Sequence, residues 1–283
     1  MRLILNADDF GATKAVNRAV VDAFKRGVLT SCSIMASGEA FDDAVHRVAQ
    51  CPGLGIGLHL VAVHGRSVLP HRDIPTLVDS TGRFPDDPTW AGLRYFFSRK
   101  ARRELHRELA AQFEKALAAG IPLTHIDSHL HLHVHPVVFD LAVQLGAQYG
   151  VLRMRAPEDD FQLATRFDSN LPRGRAAEAR IFRILTRRMK RRLRAEGFVF
   201  TERVYGHFLT GRMSEGYLLY VLDRLSVSTG EVYFHPALFD HFANLDGVDR
   251  QRQREYEALV SPRVIERMEE LGISRIRYPE LCR

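Results

Sequence analysis

The sequence predicts an α/β fold, a single TIM-like (β/α) barrel of about seven βα units. Three observations carry that prediction. Short apolar runs alternate with helical stretches of roughly 10–15 residues, the pattern of parallel βαβ units. No composition break marks a linker anywhere in the 283 residues, so 1–283 reads as one domain. Four of the apolar runs end in carboxylate or imidazole side chains, and parallel α/β folds collect their chemistry where strands end.

Taken in order, Leu3 to Leu5 is a short apolar run ending in Asn6-Ala7-Asp8-Asp9-Phe10-Gly11. Ala15, Val16, Ala19, Val20 and Phe24 then share one helical stripe, closed by Gly27 as a C-cap. Strand-like 29–36 and 54–60 flank a helical 40–50. Residues 61–99 form an insertion rich in Pro, Gly, Asp and aromatics, more often a functional lid than a plain connection. Next come a helix at 100–119, a strand at 123–128, a helix at 137–149 and a strand at 151–155. The segment 173–196 reads as a long basic helix, 214–226 as another helix, and 230–235 as a strand ending in His-Pro. Helical stretches at 250–260 and 262–271 lead into a last strand, Ile273 to Tyr278.

Composition excludes several classes. With 46% hydrophobic and 26% charged residues the chain is ordinary globular protein, not disordered or fibrous. Two carboxylates directly after the first apolar run argue against a secretory signal. No stretch approaches the roughly 20 apolar residues that span a bilayer. Cys32, Cys51 and Cys282 are too far apart for a CxxC metal site or a disulfide framework, so a reducing cytoplasm is the expected compartment.

The chemistry sits at the strand ends. The first ends in Asp8-Asp9, and the third carries Gly57-Leu58-His59-Leu60. The middle one runs Thr124-His125-Ile126-Asp127-Ser128-His129-Leu130-His131-Leu132-His133-Val134-His135, and a late one ends Glu231-Val232-Tyr233-Phe234-His235-Pro236. Carboxylate with imidazole is a ligand set for Zn²⁺ and similar divalent ions. Asp is a favoured helix cap, but one cap needs one Asp, and a second carboxylate beside it is costly without a cation. His59, between two leucines, reads equally as a ligand or as a hydrogen-bonded core histidine. In the histidine run, His125, Asp127, His129, His131, His133 and His135 share one parity, so a continuous strand puts them on one face. They cannot all hold one ion, because four residues of strand span about 13 Å. One or two are ligands; the rest orient them or, as for His133 and His135, meet solvent. His235, held extended by Pro236 at a strand end, suits acid–base work. Arg155, at its own strand end, either pairs with Asp8 or is a surface arginine.

These motifs resemble the YdjC-like carbohydrate deacetylases. The runs at Asp8-Asp9, His59, His125–His131 and His235, with Arg155-Ala156-Pro157, occur in that family's order and spacing across essentially the whole chain. Val68-Leu69-Pro70, Ile74-Pro75, Gly82-Arg83-Phe84, the stretch Gly92–Phe97 and the Arg-rich helix followed by Val204-Tyr205-Gly206 resemble its hopanoid-biosynthesis branch, HpnK. The family resemblance implies a (β/α) barrel, one divalent ion (Zn²⁺ or Mg²⁺) on Asp9, His59 and His129, and N-deacetylation of an acetamido sugar. It implies Asp8 as base and His235 as acid. On the residues' own positions, Arg155 pairs with Asp8 in that reading, while Asp127, His131 and His133 support the ligands or the substrate. The branch implies N-acetylglucosaminyl bacteriohopanepolyol as substrate. A soluble chito-oligosaccharide such as diacetylchitobiose is the alternative.

The net charge of +6 is local. Residues 173–203 hold 11 Arg or Lys and 3 Asp or Glu, a net +8, so the remaining residues sum to −2. Ile181, Leu185, Met189 and Leu193 recur every four residues and give this helix one apolar stripe. Its cationic face is a solvated barrel exterior, a nucleic-acid surface or a contact with an anionic membrane. A lipid-linked substrate favours the last, with Arg187, Arg188, Lys190, Arg191 and Arg192 facing the inner membrane surface. No nucleic acid is expected, because aromatics do not interleave the basic run and a nucleic-acid-binding protein leaves the four polar strand ends unexplained. A homo-oligomer is compatible with the sequence.

Overall fold

The structure, a computed structural model, describes residues 1–171, 174–240 and 246–281. Arg173, at the start of the predicted basic helix, and Cys282 therefore lie outside the described residues. Cys32 and Cys51 are buried free thiols.

The first three strands are β1 (Arg2–Phe10), β2 (Ser31–Ile34) and β3 (Gly55–Leu60), joined by α1 (Lys14–Arg26) and α2 (Phe41–Val48). Thr13 caps α1 by accepting from the Val16 amide, and Gly27 ends it, as its position in the sequence predicts. The insertion follows, containing α3 (Pro88–Phe97), and then come α4 (Arg99–Ala118), β4 (Leu123–Ser128) and α5 (Pro136–Gln148). After these the chain forms α6 (Phe161–Phe167), α7 (Arg175–Ala195), β5 (Arg203–Tyr205), α8 (Glu215–Leu222), β6 (Thr229–Phe234), α9 (Gly247–Leu259), α10 (Pro262–Glu270) and β7 (Ser274–Arg275).

Six strands make a curled parallel sheet in the order β4-β3-β2-β1-β6-β5. The parallel α/β character expected from the sequence is present. The full ring of seven βα units is not, because regular pairing stops between β4 and β5. The strand expected at 151–155 is reduced to single bridges, Ile126 with Met154 and Arg153 with Val199. The strand expected at Ile273 to Tyr278 survives as two residues. They pair with Arg2 and Leu3, while β2 takes the same strand from Asn6 onward.

β4 ends at Ser128, opposite the last residue of its neighbour, Leu60. Without a ladder partner the chain leaves the sheet as a 3₁₀ turn, His129–Val134, with Leu130 and His131 at left-handed φ of 53° and 52°. The alternation expected over the whole histidine run therefore holds only to Ser128.

The insertion is pinned rather than loose. Glu108 accepts from the amides of Val68 and Leu69 at 2.8 and 2.9 Å, and Gln112 bridges the amide and carbonyl of Val61. Ile74, Leu77, Phe84 and Tyr95 bury within it, but Trp90, Leu93, Phe96 and Phe97 on α3 stay exposed.

α7 corrects two expectations. Met189 and Leu193 face the core as predicted, but Ile181 is 59% exposed, and so is Ile184 at 60%. Lys190, expected at a membrane, is buried, with Nζ donating to Glu158 and to the Glu202 carbonyl, both at 2.7 Å. Arg187, Arg188, Arg191 and Arg192 are exposed, the last paired with Glu196 at 2.8 Å. Among the described residues no helix is long and apolar enough to cross a membrane.

Candidate active site

Successive residues of a strand point to opposite faces, so Asp8 and Asp9 should diverge. They do not, because β1 bulges between Ala7 and Phe10, setting Asp8 and Asp9 against Ser33 alone of β2. Asp9 takes a φ of 64°, an outlier tolerated by Asp and typical of functional sites. Both carboxyl groups are thereby buried at the same pole, each 2% exposed.

Beneath them lies Arg155, with no exposed surface. Its Nη1 and Nη2 bond the two oxygens of Asp8 at 2.8 and 2.7 Å. It also reaches Asp127 Oδ2 at 2.9 Å and, through Nε, Glu231 at 2.8 Å. The surface-arginine reading is thus overturned. Asn6 donates to Asp8, Ser33 to Asp127 and Tyr278 to Glu231, so the buried carboxylates of this network have further partners. Gly57 in β3 makes room for it: a Cβ there would sit 2.4 Å from the ring of His125, which stacks on Tyr278.

Asp127 holds His59 through Nδ1 at 2.8 Å, leaving Nε2 to face Asp9 Oδ1 at 3.5 Å. His129, from the turn after β4, brings Nδ1 to the same oxygen at 3.1 Å. Ligands about 2.1 Å from a tetrahedral ion stand about 3.4 Å apart, so these three atoms already have metal-site spacing. Two further observations fit a cation there. The buried Nε2 of His59 has no hydrogen-bond partner. Burial alone would lower the pKa of His59, yet Asp127, Asp8 and Asp9 together raise it to about 9, so the site draws in positive charge. Asp9 is held well below the ordinary carboxylate range: burial opposes this, but His129, His235 and Arg252 outweigh it. A second grouping, Asp8 with His59 and Asp127, also has ligand spacing. There Arg155 already occupies both carboxylates, and its charge opposes a cation.

His235 stands across from this cluster, Nε2 4.0 Å from Asp8 Oδ2 and Nδ1 4.0 Å from Glu255. The remaining predicted residues separate. His133 is fully buried between Ser128 Oγ (2.6 Å) and the Arg155 carbonyl (3.0 Å), so its solvent reading is overturned and it braces the turn. Burial pushes its pKa down to about 4. His135 is partly buried at the start of α5, against Gly92 of α3. His131 is buried with neither ring nitrogen paired.

Sequence reasoning expected the helix at 250–260, observed as α9, but missed that it reaches the site. Arg252 donates to Asp9 Oδ2 at 2.8 Å, opposite the oxygen that faces the imidazoles, and Glu255 accepts from the His235 amide at 2.5 Å. Asp9, His129, His235, Arg252 and Glu255 line a cavity of about 420 Å³, into which the insertion adds His64, Arg66 and Arg83.

The family model described as YdjC-like protein matches residues 2–270. The chain belongs to the YdjC-like family. Similar proteins include a carbohydrate deacetylase of Brevibacillus brevis, 34% identical over 283 residues covering 99% of this chain and all of that one. A carbohydrate deacetylase of Geobacillus stearothermophilus is 34% identical over 280 residues, 98% of this chain and 96% of that one. A solved structure from Enterococcus faecalis V583, described as a candidate cellobiose-phosphate cleavage protein, matches with a TM-score of 0.73. It is 27% identical and covers 98% of this chain and 97% of that one, so the two chains share their architecture over nearly their full lengths.

Proposed function

We propose that this protein is a metal-dependent carbohydrate N-deacetylase that hydrolyses the acetamido group of an N-acetylglucosamine-type sugar. The observation that carries the reading is the convergence of Asp9, His59 and His129 around an unpaired buried nitrogen, with Asp8 beside them and His235 on the cavity wall 4.0 Å from it. Bound to those three side chains, a divalent cation supplies Lewis acidity to the acetyl carbonyl and to the attacking water. Two imidazoles suit Zn²⁺ or another transition ion better than Mg²⁺.

The chain's own residues supply the rest. Asp8 accepts the proton of the attacking water, its carboxylate oriented by two guanidinium bonds. His235, 4.0 Å away, donates from Nε2 to the departing amine. Asp127 sets the ring of His59, and Arg252 occupies the oxygen of Asp9 that faces away from the imidazoles.

A lipid-linked substrate is favoured by the resemblance together with α7. Exposed Arg187, Arg188 and Arg191 beside exposed Ile184 suit the headgroup layer of an anionic membrane, and hence a lipid-linked sugar such as N-acetylglucosaminyl hopanoid. Lys190, being buried, has no part in that contact.

The test is acetate release, followed by mass spectrometry, from acetylated glucosaminyl hopanoid and from diacetylchitobiose, with bound metal measured by elemental analysis. The expected result is turnover of the lipid-linked sugar, and loss of both metal and turnover in His59→Ala. Preference for diacetylchitobiose would move the assignment to soluble sugars. An active His59→Ala that holds no metal would overturn the metal-dependent mechanism.

A further inference from the structure

A second chamber, about 230 Å³, is lined by Asp8 and shares His235 with the main cavity. Leu130, Thr210 and His235 line both spaces and form the partition between them. The chamber's distinctive group is His131. It is 6% exposed, sits at a left-handed φ of 52°, and neither ring nitrogen has a partner. Burial with no partner costs about 1–3 kcal/mol for each polar group. The surrounding rings, Tyr233 at 4.9 Å and His207 at 5.4 Å, approach its ring without bonding to it. Tyr233 is itself committed to Thr210 at 2.8 Å. Arg175, one-third exposed, reaches the same lining while paired with Glu178 at 3.2 Å, and Asp8 is the one carboxylate in that lining.

An amide placed against Asp8 and His235 has two substituents and meets two spaces. The sugar, broad and rich in hydroxyls, matches the larger cavity with Arg66, Arg83 and Gln251. The acyl half then points into the smaller chamber. On hydrolysis that half becomes a carboxylate, which can accept hydrogen bonds from a neutral imidazole and from a guanidinium. We propose that the chamber around His131 and Arg175 is a binding site for acetate and other short carboxylates, the acyl side of the cleaved bond. The proposal rests on the deacetylase reading for its role, and not for its chemistry. A methyl group takes roughly the space of one water, about 30 Å³, so the chamber has room for propionate as well.

The test uses protein stripped of metal and desalted, so that acetate cannot be held by a cation. Saturation transfer to the methyl protons of acetate and propionate reads binding, with glucosamine as competitor. The expected result is binding that survives metal removal, falls at least tenfold in His131→Phe and in Arg175→Gln, and is not displaced by glucosamine. Arg175→Gln lies at the surface and guards against misfolding of the buried variant. Binding that disappears with the metal, or is unchanged in both variants, overturns the assignment. So does displacement by glucosamine, which would make the chamber a sugar site. Acetate release from N-acetylated sugars is scored separately: its absence overturns the deacetylase reading, whereas the binding outcomes judge the chamber alone.

Discussion

The carboxyl pole of the sheet and the flank formed by α7 both carry dense charge, and they handle it in opposite ways. At the pole Arg155 has no exposed surface, and its guanidinium is shared among Asp8, Asp127 and Glu231. On α7, Arg187 is 66% exposed and 3.9 Å from its nearest carboxylate. Arg183, Arg188 and Arg191 are exposed and make no side-chain bond among the described residues. Buried charge fixes geometry and is costly to disturb; solvated charge costs little to remove and acts at a distance. The difference teaches where chemistry and where attraction are expected, and each region can be perturbed without the other.

The largest effect belongs to His235, which touches both Asp8 and the cavity. His235→Gln should lower turnover by about 10²–10⁴, the usual contribution of a positioned acid, with bound metal unchanged by elemental analysis. Near-normal turnover removes His235 from the mechanism. Arg155→Met comes next. It leaves three carboxylates buried without their common partner, which should destabilise the fold by about 3–5 kcal/mol, read from the urea midpoint. A midpoint shift as small as that of a solvated arginine would erase the contrast between the two regions.

Glu255 sharpens the comparison through pH. Burial raises its carboxyl to about 8, above the ordinary value near 4.5. A carboxyl with a raised pKa favours folding when protonated. Its contribution is full below about pH 4.5 and declines as pH rises towards 8, by about 1.4 kcal/mol per pH unit. In metal-stripped protein, Glu255→Gln should therefore match the wild type at pH 4 and melt higher at pH 8. Equal melting temperatures at both values would show that Glu255 is not desolvated.

How legible these two regions were differs as well. Carboxylate and imidazole at strand ends stood out because they are rare on packing grounds; the resemblance then singled out Asp9, His59 and His129, and the structure brings those three within ligand distance. Glu231 and Tyr233 share parity with His235 and also point inward, so the period of two could have flagged them. Arg252 and Glu255 left no such trace. They lie in a helix whose local pattern is that of a solvated surface, and only tertiary packing carries α9 to the cavity. The histidine run misled for a related reason. Strand alternation is a property of a paired ladder, and β3 ends before the run does. The same limit explains α7: an every-fourth-residue stripe marks the side of a helix able to bury, and the core met only its C-terminal half, leaving Ile181 exposed.

The smallest effect, and the one that isolates the flank, is on membrane attraction. Replacing Arg187, Arg188 and Arg191 with Gln removes three solvated charges, each adding about 1 kcal/mol of attraction near an anionic surface. Binding to vesicles rich in anionic lipid should then fall by roughly two orders of magnitude, and wild-type binding should itself weaken as salt rises. Thermal stability should move by no more than about 0.5 kcal/mol per site, as for surface substitutions without fixed partners. Turnover of a soluble sugar should not change, because these arginines lie outside the cavity wall. Co-sedimentation with anionic and with neutral vesicles reads the outcome. Equal, salt-insensitive partitioning of the wild type to both would leave α7 as a solvated exterior. Loss of soluble-sugar turnover in the triple variant would instead show that the flank and the pole are coupled through the turn that holds His131.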